Sequence, residues 1–276
     1  MLSAAVSCLM FLAGGRDGNA EPNIPQLWDS KEQLTRPDLS QLPRLRFLTT
    51  TDFPPFNFLD PTGRLSGFHI DLVRAICKEL GLMDRCQIQA LPWNELDGAL
   101  ERGEGEAIIA GIATTAQNRE KYVFSRPYLV FPARFATLAT KQLQEPLFKS
   151  LEGARVAVLA GSAHERMLRA DFPEARIITY SKQQGINDDL REGKIDAMFG
   201  DGMRMSFWLG GKDAQNCCRF SGGPYFAPEY FGSGLAIAAP KDRSDLTAAF
   251  DYALQAISTR PEFGELYLRY FPIDFF

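Results

Sequence analysis

Residues with obvious chemistry are few in this chain: two histidines and five cysteines among 276 residues. Their spacing excludes most of what such residues do. No C-x-x-C or H-E-x-x-H pattern is present, so neither common zinc ligand set exists, and no metal or cofactor is expected. No G-x-S-x-G turn, phosphate-cradling glycine loop or kinase signature occurs. His69 and His164 read as surface or capping-turn residues, so acid–base chemistry in a cleft would fall to Asp201 or Glu229. What remains suits holding a ligand better than changing one. Arg119 could take a carboxylate with two parallel hydrogen bonds, although by type alone it reads first as a surface arginine in the polar loop from Gln117 to Lys121. Asp201, just before Gly202, reads by type as a turn aspartate. Ser162-Ala163-His164-Glu165 is a capping box, and the free N–H groups at such a helix start can face an anion.

The cysteines depend on compartment. Residues 2–13 form a short apolar run followed by a small-residue stretch ending at Ala20. This pattern predicts a signal peptide over residues 1–20 and a periplasmic protein, although no Lys or Arg precedes the apolar run. Cleavage is expected rather than lipidation at Cys8. In an oxidising compartment Cys77, late in a helix, and Cys86, just past its Gly81 stop, form either a local disulfide or two buried free thiols. The adjacent Cys217 and Cys218 would close a strained ring if paired, and their state stays open.

These residues must be positioned by alternating strands and helices. A polar, proline-bearing leader spans residues 21–44 and is expected to drape over the surface. From Leu45 onward the pattern alternates. Leu45–Thr50, Ala107–Ile112, Arg155–Ala160 and Ile177–Tyr180 read as strands. Ile70, Val73, Ile76, Cys77 and Leu80 recur at helical spacing, as do Leu246, Phe250, Ala253, Leu254 and Ile257. Such alternation implies α/β layers with largely parallel sheets. The segment Leu100–Gly111 can be laid over Leu190–Asp201 without a gap: helix end, glycine turn, acidic residue, apolar strand. This repetition implies two lobes of similar build. Ligands of open α/β sheets bind beyond the carboxyl ends of strands, which makes the strand ends near Gly111 and at Asp201 candidates for opposite walls of one cleft.

The segments Thr50-Thr51-Asp52-Phe53-Pro54-Pro55-Phe56, Gly67-Phe68-His69-Ile70-Asp71-Leu72, Ala107-Ile108-Ile109-Ala110-Gly111, Thr115 with Arg119, Phe124-Ser125-Arg126-Pro127-Tyr128 and Gly193-Lys194-Ile195-Asp196-Ala197, in this order and spacing, resemble the bacterial extracellular solute-binding proteins that serve polar amino-acid uptake by ABC transporters. The resemblance runs from about Leu45 to the C-terminus. It implies a type II periplasmic-binding-protein fold: lobe 1 from residues 45–136 and 235–276, lobe 2 from 137–234, with central sheets flanked by helices. The implied hinge has two segments, near Phe135–Thr140 and Tyr230–Gly234. It also implies that Arg119 grips the ligand carboxylate, that Asp201 meets an ammonium when the lobes close, and that Phe53 and Trp93 sandwich the ligand. Gly111, Ala113 and Thr114 would line the first lobe's side, and Ser162 and Ala163 would give the carboxylate a second anchor. Cys77 and Cys86 match a disulfide found in some members. One departure is Ala113, which stands where a hydroxyl residue is usual and so removes an acceptor for an α-ammonium. Another is the Thr115–Arg119 segment, one residue longer than in many relatives.

The resulting expectation is a monomeric periplasmic binding protein that captures a small amino-acid-like solute bearing a carboxylate and delivers it to an ABC transporter permease. The alternatives are a dehydratase-like enzyme acting on a small cyclic carboxylate and a soluble sensor component. A formal charge of −4 offers no basic stripe for nucleic acid.

Overall fold

The computed structural model describes residue 24 and residues 27–29, 31–271 and 273–276. The expected signal peptide, its cleavage point at Ala20 and Cys8 lie outside the described residues.

Two five-stranded sheets carry the fold, and they share one plan. In the first, Cys86–Ala90, Leu45–Thr49 and Ala107–Ile108 run parallel in that spatial order, followed by the antiparallel Ala238–Pro240 and then Tyr122–Phe124. In the second, Arg176–Tyr180, Arg155–Leu159 and Ala197–Asp201 are parallel, followed by the antiparallel Ala133–Leu138 and then Cys218–Phe220. Each sheet is therefore parallel over three strands, with antiparallel pairings completing it. Strand alternation sorts side chains to the two faces. Leu45 and Phe47 enter one core with helices Phe68–Glu79 and Ser244–Ser258, while Leu48 enters another with helix Leu96–Glu101.

The internal match in the sequence has a local cause. Helices Leu96–Glu101 and Gln183–Arg191 both end on a left-handed glycine, Gly103 (φ 69°) and Gly193 (φ 72°). That conformation lets the next N–H groups reach back to the last helical carbonyls: Gly103 to Leu100 and Glu104 to Ala99, then Gly193 to Leu190 and Lys194 to Asp189. The acid that follows then grips the first strand of its own sheet. Glu106 Oε2 accepts the Arg46 N–H at 2.6 Å, and Asp196 Oδ2 accepts the Arg155 N–H at 2.9 Å.

Lobe limits differ from the expected ones at one crossing. Ala133–Leu138 is an inner strand of the second sheet, and Ala133 and Phe135 are fully buried in that lobe's core. The chain has therefore left the first lobe before Ala133, in residues 130–132, not near Phe135–Thr140. An uninterrupted strand paired on both sides cannot absorb a bend. The return lies after helix Pro228–Phe231, through Gly232 (φ 78°) and Gly234 (φ 92°). A Cβ on Gly234 would stand 2.3 Å from Leu129 O, so the crossings touch where only glycine fits. The C-terminal segment adds another link: Phe271, Phe275 and Phe276 pack in the first lobe's core, Ile273 packs against the second's, and Arg134 donates to the carbonyls of Phe275 and Phe276.

The leader does more than drape. Trp28 and Leu39 are buried in the first lobe's core, Arg85 donates to Ser40 O and Leu42 O, and Arg126 pairs with Glu32 at 2.6 Å. Cys77 and Cys86 form a disulfide tying helix Phe68–Glu79 to strand Cys86–Ala90, and Cys217 is joined to Cys218. Closing a nine-residue separation restricts the unfolded chain by about 2.5 kcal/mol. Replacing Cys77 and Cys86 together by serine should lower the melting temperature by about 5 °C or more; calorimetry showing no change would mean the bridge contributes nothing.

Candidate functional site

The first lobe's wall starts where strand Leu45–Thr49 ends. Thr50 is buried, and Asn57 Nδ2 donates to its carbonyl at 3.0 Å and its hydroxyl at 2.7 Å. With its Nδ2 so committed, Asn57 offers Oδ1 as an acceptor to His69 Nδ1 at 2.8 Å, and Tyr128 OH lies 2.7 Å from His69 Nε2. His69 is accordingly a fully buried, neutral histidine under the wall, not a surface residue. Sequence reasoning misplaced it because a histidine at the start of helix Phe68–Glu79 gives no sign of the distant Asn57 and Tyr128 groups that meet it. Burial pushes its pKa down to about 3. Above this network Phe53 stacks on Phe56 at 4.7 Å and lies against Gly111. Gly111 has φ 84°, and a Cβ there would stand 2.9 Å from the Phe53 ring, so backbone and packing both require glycine.

Beyond Gly111 the loop is fixed by its own polar groups. Asn118 donates its backbone N–H to Thr115 Oγ1 at 3.1 Å and its Nδ2 to Ala113 O at 2.8 Å, which starts the short helix Asn118–Lys121. This helix carries Arg119, whose guanidinium is exposed and makes no ion pair with any described residue; it lies 5.8 Å from the centre of the Phe124 ring. Thr114, half-buried, and the exposed Ala113 precede it. Trp93 is 54% exposed, which removes it from the core, and it lines a first-lobe cavity of about 360 Å³ with Thr50, Thr51, Asp52 and Pro92.

The second lobe presents a cavity of about 280 Å³ at the end of strand Ala197–Asp201, lined among others by Ser162, His164, Asp201 and Arg204. The capping box is formed: Ser162 Oγ accepts from Glu165 N at 3.1 Å, and Glu165 Oε2 accepts from Gly161 N at 2.7 Å. The Ser162 hydroxyl also donates to Leu159 O at 2.7 Å, so its side chain is committed to the cap. Ala163 opens the helix without lining the cavity. Asp201 caps helix Gly202–Leu209 by accepting from Arg204 N at 2.9 Å. Burial raises its pKa, against the opposing pull of that hydrogen bond and the Arg204 charge. His164 stacks on Phe231 at 4.5 Å, and burial, helped by Arg204, pushes its pKa down to about 4.

The predicted residues thus form three groups. Phe53 and Gly111 touch; Ser162 and Asp201 share the second-lobe cavity; Trp93 lines the first-lobe cavity. Arg119 lines neither cavity and stands on its own exposed helix, in the opposite lobe from Asp201. Sequence reasoning missed Arg204, Trp208 and His164 as cavity residues. A signal for the first two existed: Asp201, Arg204 and Trp208 recur at i, i+3 and i+7, one face of a helix beginning at the strand end.

The model for bacterial extracellular solute-binding proteins, family 3, matches residues 45–273. The chain belongs to this family. The L-arginine-binding protein of Pseudomonas aeruginosa is 29% identical over 224 residues, covering 80% of this chain and 85% of the relative. The lysine/arginine/ornithine-binding periplasmic protein of Escherichia coli is 27% identical over 232 residues, covering 83% and 88%. Among solved structures, an ancestral cyclohexadienyl dehydratase shares the fold with a TM-score of 0.69 at 22% identity, covering 85% of this chain and 95% of that one. Solute binding is the family's business, and the two-lobed type II architecture is the family's fold.

Two outcomes test the first-lobe wall. Gly111→Ala should cost about 1–3 kcal/mol, read from urea unfolding; a wild-type midpoint would show that the loop yields freely. For His69 the folded pKa is about 3 against 6.5 for the free side chain. Between these values the unfolded chain holds the extra proton, so stability falls as pH falls, by up to about 1.4 kcal/mol per pH unit. Asp251, raised to about 6 by burial, acts with the opposite sign, so the comparison must be with a variant. His69→Gln should show a shallower decline between pH 6.5 and 4, and parallel slopes would remove His69 as the cause.

Proposed function

We propose that the chain captures a small amino-acid-like solute between its lobes in the periplasm and, as a monomer, delivers it to the membrane permease of an ABC transporter without chemically altering it. The observation that carries this reading is a division of charge between two lobes of one plan. An exposed guanidinium with no ion-pair partner among the described residues, Arg119, stands on the first; a half-buried, capped carboxylate, Asp201, ends a parallel strand of the second. The relatives named for binding arginine, lysine and ornithine support an amino-acid ligand.

In this mechanism Arg119 receives the carboxylate in the open form with two parallel hydrogen bonds. Phe53 and Trp93 cover the ligand's stem, with Gly111, Ala113 and Thr114 forming the adjacent edge. Bending at residues 130–132 and Gly232–Gly234 brings up the second lobe. Asp201 then meets the ammonium, and the start of the helix at Ser162 and Ala163 faces the carboxylate. Because Asp201 contributes only when the lobes meet, its interaction is the differential affinity that shifts the population to the closed state; hinge closure around a ligand is the general behaviour of periplasmic binding proteins.

Calorimetric titration against a panel of amino acids and organic acids should yield one tight ligand. Arg119→Ala should weaken it by about 100-fold, the worth of two charge-assisted hydrogen bonds, with the melting temperature of the free protein unchanged. Unchanged affinity would remove Arg119 from the site. Chemical conversion of the ligand, followed by NMR, would replace binding with catalysis.

A further inference from the structure

The second-lobe cavity has a charge pattern that a captured monocarboxylate does not use up. Among the residues lining it, Arg204 is the only arginine or lysine and Asp201 the only carboxylate. The Arg204 guanidinium makes no ion pair and no side-chain hydrogen bond with any described residue; Arg166 and Arg176 in the same lobe are likewise without an acid, but neither lines the cavity. Arg204 is held at the cavity by its place in the third position of helix Gly202–Leu209, where its backbone N–H meets Asp201 Oδ1 at 2.9 Å. One turn further along the same face, Trp208 lines the same cavity, and its buried indole N–H has no acceptor among the described residues. Two donors therefore lack an acceptor, while the one carboxylate has already given one oxygen to the helix start. The Trp208 indole N–H is buried whereas the Arg204 side chain is exposed; a ligand anion at this cavity would gain a charge-assisted pair at Arg204, and an acceptor reaching Trp208 would satisfy a buried donor.

We propose that Arg204 is a specificity-determining residue that receives a second anionic group of the ligand, so that the solute is an acidic amino acid or a related dicarboxylate. The inference rests on the reading of Arg119 and Asp201 as the two charged ends of the site. Two guanidiniums, one from each lobe, then face two carboxylates, and Asp201 faces the ammonium. A cationic amino acid would instead place its side-chain charge beside Asp52 on the first-lobe cavity and leave Arg204 without a partner.

The deciding experiment is calorimetric titration of the wild type and Arg204→Gln with L-glutamate, L-aspartate, glutarate, L-glutamine, L-asparagine and L-arginine. The wild type should bind one of the two acidic amino acids at least about tenfold more tightly than its amide. Arg204→Gln should abolish that preference by weakening the acid and leaving the amide nearly unchanged. Glutarate binding as tightly as L-glutamate would support the two-carboxylate class and identify its source as a plain dicarboxylate. A wild type that prefers L-arginine or an amide, or an Arg204→Gln protein that still prefers the acid, would overturn the inference while leaving the solute-binding reading standing. Silence towards all six ligands, and towards the full panel of amino acids and organic acids, would overturn both. The acid-to-amide comparison on the wild type decides the matter even if the variant fails to fold.

Discussion

In both lobes a carboxylate just ahead of the third parallel strand accepts the backbone N–H at the start of the first, Glu106 from Arg46 and Asp196 from Arg155. These two acids also give their own N–H groups to the carbonyls of Arg46 and Arg155. Each lobe's sheet is thereby registered at its amino end, and its carboxyl end is left to carry other groups. That is where Gly111 and Asp201 lie. The left-handed glycines before the acids make the geometry possible, since the helix must end, turn and feed a strand within a few residues. Which residues can reach a ligand depends on this repeated clamp.

The two carboxyl ends are then used differently. The first is finished by packing: Phe53 on Phe56, with Gly111 close beneath its ring and His69 buried between Asn57 and Tyr128. The second is finished by helix starts: Ser162 capping one helix and Asp201 another. The first is thus a stiff apolar platform, and the second is a polar rim of backbone dipoles, one carboxylate and one free guanidinium. Between them run two chain crossings that touch at Gly234 and Leu129, with the aromatic C-terminal segment as a further tie. His164, stacked on Phe231 just before the return crossing, links the cavity wall to the bend.

Periodicity and internal repetition were enough to read a two-lobed α/β chain, because the glycine turn and following acid act locally and recur in the sequence. The capping box at Ser162 was legible for the same reason. Arg119, Asp201, Phe53 and Trp93 were named only by family resemblance, since their residue types alone fit ordinary surface, turn or core roles. Three features escaped. The crossing was placed near Phe135–Thr140 because an apolar run says strand without saying which sheet it joins. His69 was read as a surface residue because a histidine at a helix start gives no sign of the Asn57 and Tyr128 groups waiting for it. Arg204 was missed because an arginine inside a helix is usually a solvated one.

What the sequence determined by itself is whatever short-range chemistry specifies: helix ends at Gly103 and Gly193, the cap at Ser162, the cysteine spacing that permits the Cys77–Cys86 bridge, and the alternation that makes both sheets. What only the tertiary structure decided is long-range. It set which lobe owns Ala133–Leu138, the burial that keeps His69 neutral, the joining of Cys217 to Cys218, the entry of Trp28 and Leu39 into the first core, and the place of an exposed Arg204 on the second-lobe cavity with no ion-pair partner among the described residues. The division has a physical reason. Hydrogen bonds within a turn depend on neighbours a few residues away, whereas burial and charge pairing depend on residues that meet only after the chain has folded.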